Sequence, residues 1–378
     1  MSRSGSIRKV FPGGNTSQGF YSFYDQIIDA SASKVFILKG GPGVGKSTLI
    51  TNVAEKMLQR GYDVEYHCCS SDNQSYDGLV IPDLQVAIID GTSPHIFDPR
   101  HPGAVDEIVN LGIFWSEEKL VEAKKEIIQL TKEVRHLFMR CYGCLAQAKL
   151  LKDEIKSYYV VSSSLDYPAL SKTALQLIRE ILDFERPLTA QKTRHLFASA
   201  ITPQGPTHHL PTLFDSLEKR YIITGPMGTG KGTIVNKIYT AAVNLGYRIE
   251  AFNCALEPDK IEHLIFPEIS VGIITSSTPH TYQPQPDDRV INTGKLLNWI
   301  SLEKYESDLA EASRRFDSTL QRGIEFLSRT KARRDELERY YSLNMDFEAL
   351  NSFRDKLVER IEILAEKKRR TSSTPSGS

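Results

Sequence analysis

The sequence predicts an α/β fold built twice in tandem, each copy a parallel sheet flanked by helices and extended by a long, coiled-coil-like helical arm. Three observations predict it. A repeat runs the length of the chain, short apolar strands alternate with amphipathic helices inside each copy, and a heptad stripe closes each copy.

The repeat is read from matched residues. At one constant offset, Lys46 matches Lys231, Gly61-Tyr62 matches Gly246-Tyr247, Cys69 matches Cys254, Pro82 matches Pro267, and Pro94-His95 matches Pro279-His280. Upstream, Arg8-Lys9-Val10-Phe11 pairs with Arg194-His195-Leu196-Phe197, and Thr16-x-Gln18-Gly19 with Thr202-x-Gln204-Gly205. Downstream the offset shortens slightly, and Asn110-x-Gly112 matches Asn292-x-Gly294. Asp153-Glu154…Tyr158-Tyr159 matches Asp335-Glu336…Tyr340-Tyr341, and Asp166 matches Asp346. Copy 1 is placed at residues 1–187, with a core over about 8–115 and an arm over about 116–187. Copy 2 is placed at 188–370, with a core over about 194–298 and an arm over about 299–370; residues 371–378 are expected to be a disordered tail.

Each copy reads the same way. A buried-type strand (Val35-Phe36-Ile37-Leu38; Tyr221-Ile222-Ile223-Thr224) runs into a glycine-rich loop. A helix follows, with Leu49, Ile50, Val53 and Met57 at helical spacing, and Gly61 or Gly246 stands where a helix C-terminal glycine belongs. Val64, Tyr66 and Cys68 alternate as in a strand, and Val86-Ala87-Ile88-Ile89 and Val271-Gly272-Ile273-Ile274 read as further buried strands. Strand–helix–strand alternation implies a parallel sheet covered by helices. The arm of copy 1 carries a stripe from Leu120 through Ala123, Ile127, Leu130, Val134, Leu137, Cys141, Cys144, Ala148, Leu151 and Ile155 to Tyr158; copy 2 repeats it less cleanly from Leu302 to Tyr340. A further helix follows in each, over about 167–184 and 346–368.

Composition bounds the function. The chain has 378 residues, is 40% hydrophobic, and holds 47 basic against 47 acidic residues. Zero net charge gives no global reason to bind nucleic acid or an anionic membrane. No apolar run is long enough to span a bilayer, so no membrane partner is expected. Met1-Ser2-Arg3-Ser4-Gly5-Ser6-Ile7-Arg8 lacks the apolar core of a signal peptide, and the five cysteines (68, 69, 141, 144 and 254) fit reduced thiols in a cytoplasm.

The loops carry the chemistry. Gly40-Gly41-Pro42-Gly43-Val44-Gly45-Lys46-Ser47, followed by Thr48, fits G-x-x-x-x-G-K-[ST] at every fixed position. Glycines let successive backbone N–H groups turn inward on phosphate oxygens, and the helix adds its positive N-terminus. Lys46 is expected on the β- and γ-phosphates and in catalysis, with Ser47 as a Mg²⁺ ligand. The second loop, Gly225-Pro226-Met227-Gly228-Thr229-Gly230-Lys231-Gly232-Thr233, puts Gly232 where Ser47 stands. It keeps the phosphate cradle and Lys231 but loses the hydroxyl ligand. Asp90 ends the strand Val86–Ile89 and is the candidate for the acidic Mg²⁺ ligand and a catalytic residue; its alternative is an ordinary Asp beginning a turn with Gly91. Copy 2 has Thr275 at that point, without a carboxylate. His95 and His280 are candidates for positioning water or an acceptor, or plain turn histidines, and Arg100 is a candidate charge stabiliser. Cys141-Tyr-Gly-Cys144 falls on the heptad stripe and reads as core. His67-Cys68-Cys69 is a weak redox or metal candidate, and Lys367-Lys368-Arg369-Arg370 reads as a solvated helix end.

These loops resemble those of the P-loop NTPase superfamily (the Walker A motif), and the Gly-Lys-Gly-Thr ending of the second resembles adenylate kinase and related nucleotide kinases. The whole chain resembles a little-characterised bacterial family of duplicated P-loop ATPase or nucleotide-kinase-like proteins. The resemblance implies binding of a nucleoside triphosphate with Mg²⁺. No Asn-Lys-x-Asp guanine-reading motif is found, which favours ATP over GTP. It implies phosphate-loop roles for Gly40, Gly45, Lys46, Ser47, Gly225, Gly230 and Lys231, and a Mg²⁺ role for Asp90. The expectation is an ATPase with copy 1 hydrolytic and copy 2 nucleotide-binding or regulatory. The arms are expected to meet a protein partner, and the repeats to contact each other or a second copy. A small-molecule or nucleotide kinase and a non-catalytic nucleotide-binding module are the alternatives.

Overall fold

A computed structural model of the chain describes residues 4–29, 31–93, 96–185 and 192–372. Strands β1 (Ile7–Val10), β2 (Gly13–Thr16), β3 (Gly19–Ser22) and β4 (Lys34–Lys39) lead into helix α1 (Lys46–Gln59). Strands β5 (Val64–Cys68), β6 (Tyr76–Ile81), β7 (Val86–Asp90) and β8 (Asp106–Asn110) come next, then α2 (Glu117–Glu122), the long α3 (Lys124–Val161) and α4 (Tyr167–Ile181). The pattern repeats as β9 (Lys192–Leu196), β10 (Ser199–Thr202), β11 (Gly205–His208), a short α5 (Leu210–Phe214), β12 (Lys219–Thr224) and α6 (Lys231–Asn244). It closes with β13 (Arg248–Asn253), β14 (Ile261–Phe266), β15 (Val271–Ser276), β16 (Arg289–Asn292), α7 (Trp299–Leu302), α8 (Glu306–Ser342) and α9 (Phe347–Ser372).

Among the described residues, twelve strands form two six-stranded sheets of one topology, β1-β5-β6-β7-β4-β8 and β9-β13-β14-β15-β12-β16, each flanked by helices, while β2-β3 and β10-β11 form antiparallel pairs. The apolar runs of β4 and β7 are buried at every central position, as strands covered on both faces must be. The expected parallel sheet is corrected to a mixed one. β6 runs antiparallel to β5 and β7, and β14 antiparallel to β13 and β15. The reason lies in the connections. Pro82–Leu84 and Pro267–Ile269 are single turns that end at Gln85 and Ser270 with left-handed φ of 55° and 52°. A crossover to a parallel neighbour needs a dozen or more residues, so so short a link can only reverse the chain.

The chain packs as two compact units whose membership does not follow the repeats. Unit 1 comprises Met1–Pro12, Tyr24–His136 and Thr330–Ser378; unit 2 comprises Gly13–Phe23 and Leu137–Arg329. Each unit therefore takes its six-stranded sheet from one repeat and its helical cover from both, with the C-terminal part of the arm coming from the other repeat. In unit 2, α4 lies against α6 with Leu170, Ala174, Leu177 and Ile178 buried. In unit 1, α9 buries Leu350, Leu357, Val358 and Ile361.

The attachments match. Ser116 N–H donates to the Asn344 carbonyl and Asp346 N–H to the Phe114 carbonyl, while Asn298 N–H donates to the Ser164 carbonyl and Asp166 N–H to the Leu296 carbonyl. Asp166 and Asp346 then cap α4 and α9 by accepting from the Ala169 and Ala349 N–H groups. Helix α9 runs through Ser372, and residues 373–378 lie outside the described residues. No helix among the described residues is long and apolar enough to cross a membrane.

Candidate functional site

Each glycine-rich loop joins the end of a buried strand to the start of a helix, β4 to α1 and β12 to α6. Two glycine positions in each loop need the absence of a side chain. Gly45 and Gly230 cap the helices with φ of 81° and 88°. Gly43 and Gly228 are left-handed too, and each lies under the arm. A Cβ on Gly43 would sit 2.8 Å from the Glu338 carbonyl oxygen; one on Gly228 would sit 2.9 Å from the Tyr159 ring and 3.0 Å from Lys156 Cγ. So α8 covers the first loop in unit 1 and α3 the second in unit 2. Tyr341 against Gly41 and Leu350 against Gly45 complete the first cover, and Leu170 against Gly230 the second.

The loop lysines behave alike. Lys46 Nζ donates to the Gly40 and Gly41 carbonyls at 3.2 and 2.7 Å, and Lys231 Nζ to the Gly225 and Pro226 carbonyls at 2.7 Å each. Their surroundings differ. Lys46 lies 3.6 Å from Asp90, whose other oxygen accepts from the Thr92 N–H at 2.9 Å. Asp90 thus opens a turn and also meets the loop lysine. Ser47 Oγ accepts from the Tyr76 N–H at 3.1 Å. Lys39 anchors the segment after Asp90 through the Gly91 and Phe97 carbonyls and the Asp98 carboxylate. Thr48, on the first turn of α1, is exposed.

In unit 2, burial pushes Lys231 down to about 8, against the raising field of Glu262. Thr275 takes the place of Asp90 and Gly232 that of Ser47, with no atom within 4 Å of a Cβ placed on Gly232. Val44 is buried behind the first loop, as Thr229 is behind the second, where it exchanges a 2.7 Å hydrogen bond with Thr293. Met227 lies beside Gly228 on the rim of a cavity of about 690 Å³.

That cavity belongs wholly to unit 2. Its wall includes Gly228, Gly230, Lys231, Gly232 and Thr233 from the loop and first turn, Lys152 and Lys156 from α3, and Glu262 and His280. Glu257 gathers three ammonium groups: Lys152 at 2.7 Å, Lys156 at 3.3 Å, and Lys260. Burial would raise Glu262; His263, Lys152 and His280 hold it below the usual carboxylate range. Burial lowers His280, whose Nδ1 has no hydrogen-bond partner and whose ring lies edge-on to His208.

Of the remaining candidates, Arg100 is exposed over the Phe97 ring and is not brought to the loop, and His95 lies outside the described residues. Cys141 and Cys144 are buried in the helical core, with Leu145 and Cys144 facing Gly323. Burial pushes the Cys68 and Cys254 thiols up to about 12, so they stay protonated and unreactive. Lys367 and Lys368 lie within the last turns of α9, which runs on to Ser372 rather than ending at this cluster, and the side chains of Arg369 and Arg370 lie outside the described residues.

Sequence reasoning missed two sets of residues. Glu262 and its repeat counterpart Asp77 stand in β14 and β6; Asp77 accepts from the Tyr24 hydroxyl at 2.8 Å. Lys152 and Lys156, with their counterparts Arg334 and Glu338, were hidden among the charged flanks of the heptad stripe. The same repeat offsets that aligned the loops would have aligned all of them.

Comparison with known proteins adds one match. The family model described as Nephrocystin 3, N-terminal is similar to residues 21–80, a stretch that contains β4, the first loop and α1. No curated protein and no solved structure matches the chain.

Proposed function

We propose that both units bind a nucleoside triphosphate, ATP rather than GTP, through P-loops at Gly40–Thr48 and Gly225–Thr233, and that unit 1 is a Mg²⁺-dependent ATPase with unit 2 a binding or regulatory site. The observation that carries this reading is the pair of matching turns. Each joins a strand to a helix, keeps its glycines left-handed, and folds its lysine over the loop. A helix N-terminus with inward backbone N–H groups is a phosphate site by construction.

Ser47 and Asp90 fit a magnesium ion. Mg²⁺ takes few protein ligands and completes its shell with water and phosphate oxygens; Ser47, next to Lys46 in the chain, offers a hydroxyl, and Asp90, 3.6 Å from the Lys46 ammonium, offers a carboxylate. When bound, the ion would neutralise charge on the phosphates. Lys46 would place its ammonium on the outer phosphates, and the backbone of Gly41 to Gly45 would fix their position.

A kinase is the second reading. The cavity of about 690 Å³ beside the second loop is within the usual range for small-ligand sites and has room for more than a triphosphate tail. Nucleotide turnover by the purified protein separates the readings. Wild type is compared with Lys46→Ala and Lys231→Ala, with and without a panel of hydroxylated and nucleotide acceptors. Acceptor-independent phosphate release that survives Lys231→Ala but not Lys46→Ala supports the ATPase. Release of ADP only with an acceptor supports the kinase. No nucleotide affinity in any variant sinks both.

A further inference from the structure

The two sites differ most in charge. At matched positions unit 1 carries Lys46 and Arg334 against Asp72, Asp77, Asp90 and Glu338. Unit 2 carries Lys231, Lys152, Lys156 and Lys260 against Glu257 and Glu262. At these positions unit 1 therefore has two carboxylates in excess and unit 2 two ammonium groups in excess; Lys331 with Asp335 in unit 1, and Lys237 with Asp259 in unit 2, add charges that cancel. The swing equals the charge of two divalent cations, and a triphosphate brings about four negative charges to either site.

These groups share an environment in each unit. Lys152, Lys156, Lys231, Lys260, Glu257 and Glu262 all line the one cavity. In unit 1, Arg334 is half-buried in the field of Cys69, Glu338, Asp77 and Asp72, and Lys331 pairs with Asp72 at 3.4 Å. The side chains of Lys152 and Lys156 are only 17% and 28% exposed, and Cγ of Lys156 lies 3.0 Å from where a Cβ on Gly228 would be. Ammonium groups held this far out of water interact with phosphate more strongly than surface lysines do.

Resting on the nucleotide reading above, we propose that unit 2 holds its triphosphate without a divalent cation, with Lys152 and Lys156 of α3 standing in for the metal, while unit 1 requires Mg²⁺. The two lysines come from the other repeat's arm, so metal independence belongs to the assembled unit and not to the repeat that carries the loop. Replacement of Ser47 and Asp90 by Gly232 and Thr275 then has a compensating gain in the same site.

The test uses the full chain with Lys46→Ala, so that the first loop is silenced, and ATP as the probe. Binding is measured by calorimetry with magnesium and with excess EDTA. The expected result is one site whose affinity changes less than threefold on removal of magnesium. Lys152→Met with Lys156→Met keeps the apolar stems and should weaken EDTA-resistant binding by at least tenfold. Lys156→Glu, which copies unit 1, should make the remaining binding magnesium-dependent. Binding that appears only with magnesium overturns the inference and leaves the nucleotide reading of unit 2 intact. Absence of binding under both conditions overturns both. Binding in EDTA that is unaffected by both lysine variants also overturns the inference. Should the double variant fail to fold, the comparison of EDTA with magnesium in the Lys46→Ala chain decides alone.

Discussion

The first and second loops have nearly the same backbone and opposite chemical surroundings. Both put left-handed glycines under a tyrosine-bearing arm, and both turn their lysine onto the first two carbonyls of the loop. Yet Lys46 faces Asp90, while Lys231 shares its cavity with Lys152, Lys156, Lys237 and Lys260 and with Glu257 and Glu262. Main-chain geometry, once specified by glycines, survives duplication because few other residues tolerate those φ values. Side chains around it can change sign freely, since they sit on strands and helices that hold their shape either way. On the proposed nucleotide reading, the loop decides whether phosphate is held, and the surrounding charges decide on what terms.

The largest expected break in the comparison is catalytic. Lys46→Ala should lower turnover by roughly 10²–10³, the usual loss for one preorganised group on a transition state. Lys231→Ala should leave turnover within about threefold. A steady-state phosphate-release assay reads both, and equal losses would erase the division of labour between the units. Next comes packing. Gly230→Ala adds a Cβ at φ 88° and 2.5 Å from Leu170. Left-handed strain and overpacking together should cost about 2–4 kcal/mol. Calorimetric melting should show that loss in Gly230→Ala and almost none in Gly232→Ala, where a Cβ meets nothing.

Much of this comparison was legible before any coordinates. The loops, the strands before them and the helices after them announce themselves through glycine spacing and periodicity. Loss of Ser47 and Asp90 in the second copy can be read by eye at Gly232 and Thr275. The antiparallel β6 and β14 were not read, although Pro82 and Pro267 were noted. A proline marks a turn, but only the length of the connection says which way the next strand runs. Exchange of the arms was not legible either. A heptad stripe states that a helix has an apolar face, and nothing in it names the sheet that face will meet. Lys152 and Arg334 went unnoticed for the same reason: their meaning depends on which loop lies beneath them.

Restoring the missing ligands sharpens the contrast further. Gly232→Ser with Thr275→Asp gives unit 2 the pair found in unit 1. The serine has open space, and Thr275 already lines the cavity. In a Lys46→Ala chain, magnesium should then strengthen ATP binding to unit 2 by about tenfold, the scale of one added charge-assisted contact. An unchanged magnesium response would mean that the pair is not a metal site in unit 1 either.

The smallest effect is also the most specific in sign. Burial lowers Lys231 to about 8, so in the free protein it loses its proton as pH rises through that value. Phosphate favours the protonated lysine, so affinity at unit 2 should fall by about twofold between pH 7 and 8 and about tenfold by pH 9. Stability should move the other way. An unfolded chain keeps this lysine protonated to about 10.4, so between about 8 and 10 the unfolded state binds more protons and stability rises with pH. Lys231→Met should remove both slopes together. Calorimetric affinities and melting temperatures of the Lys46→Ala chain across this range test the pair. If affinity and stability fall in parallel, the loss is general alkaline unfolding and Lys231 is not the group responsible.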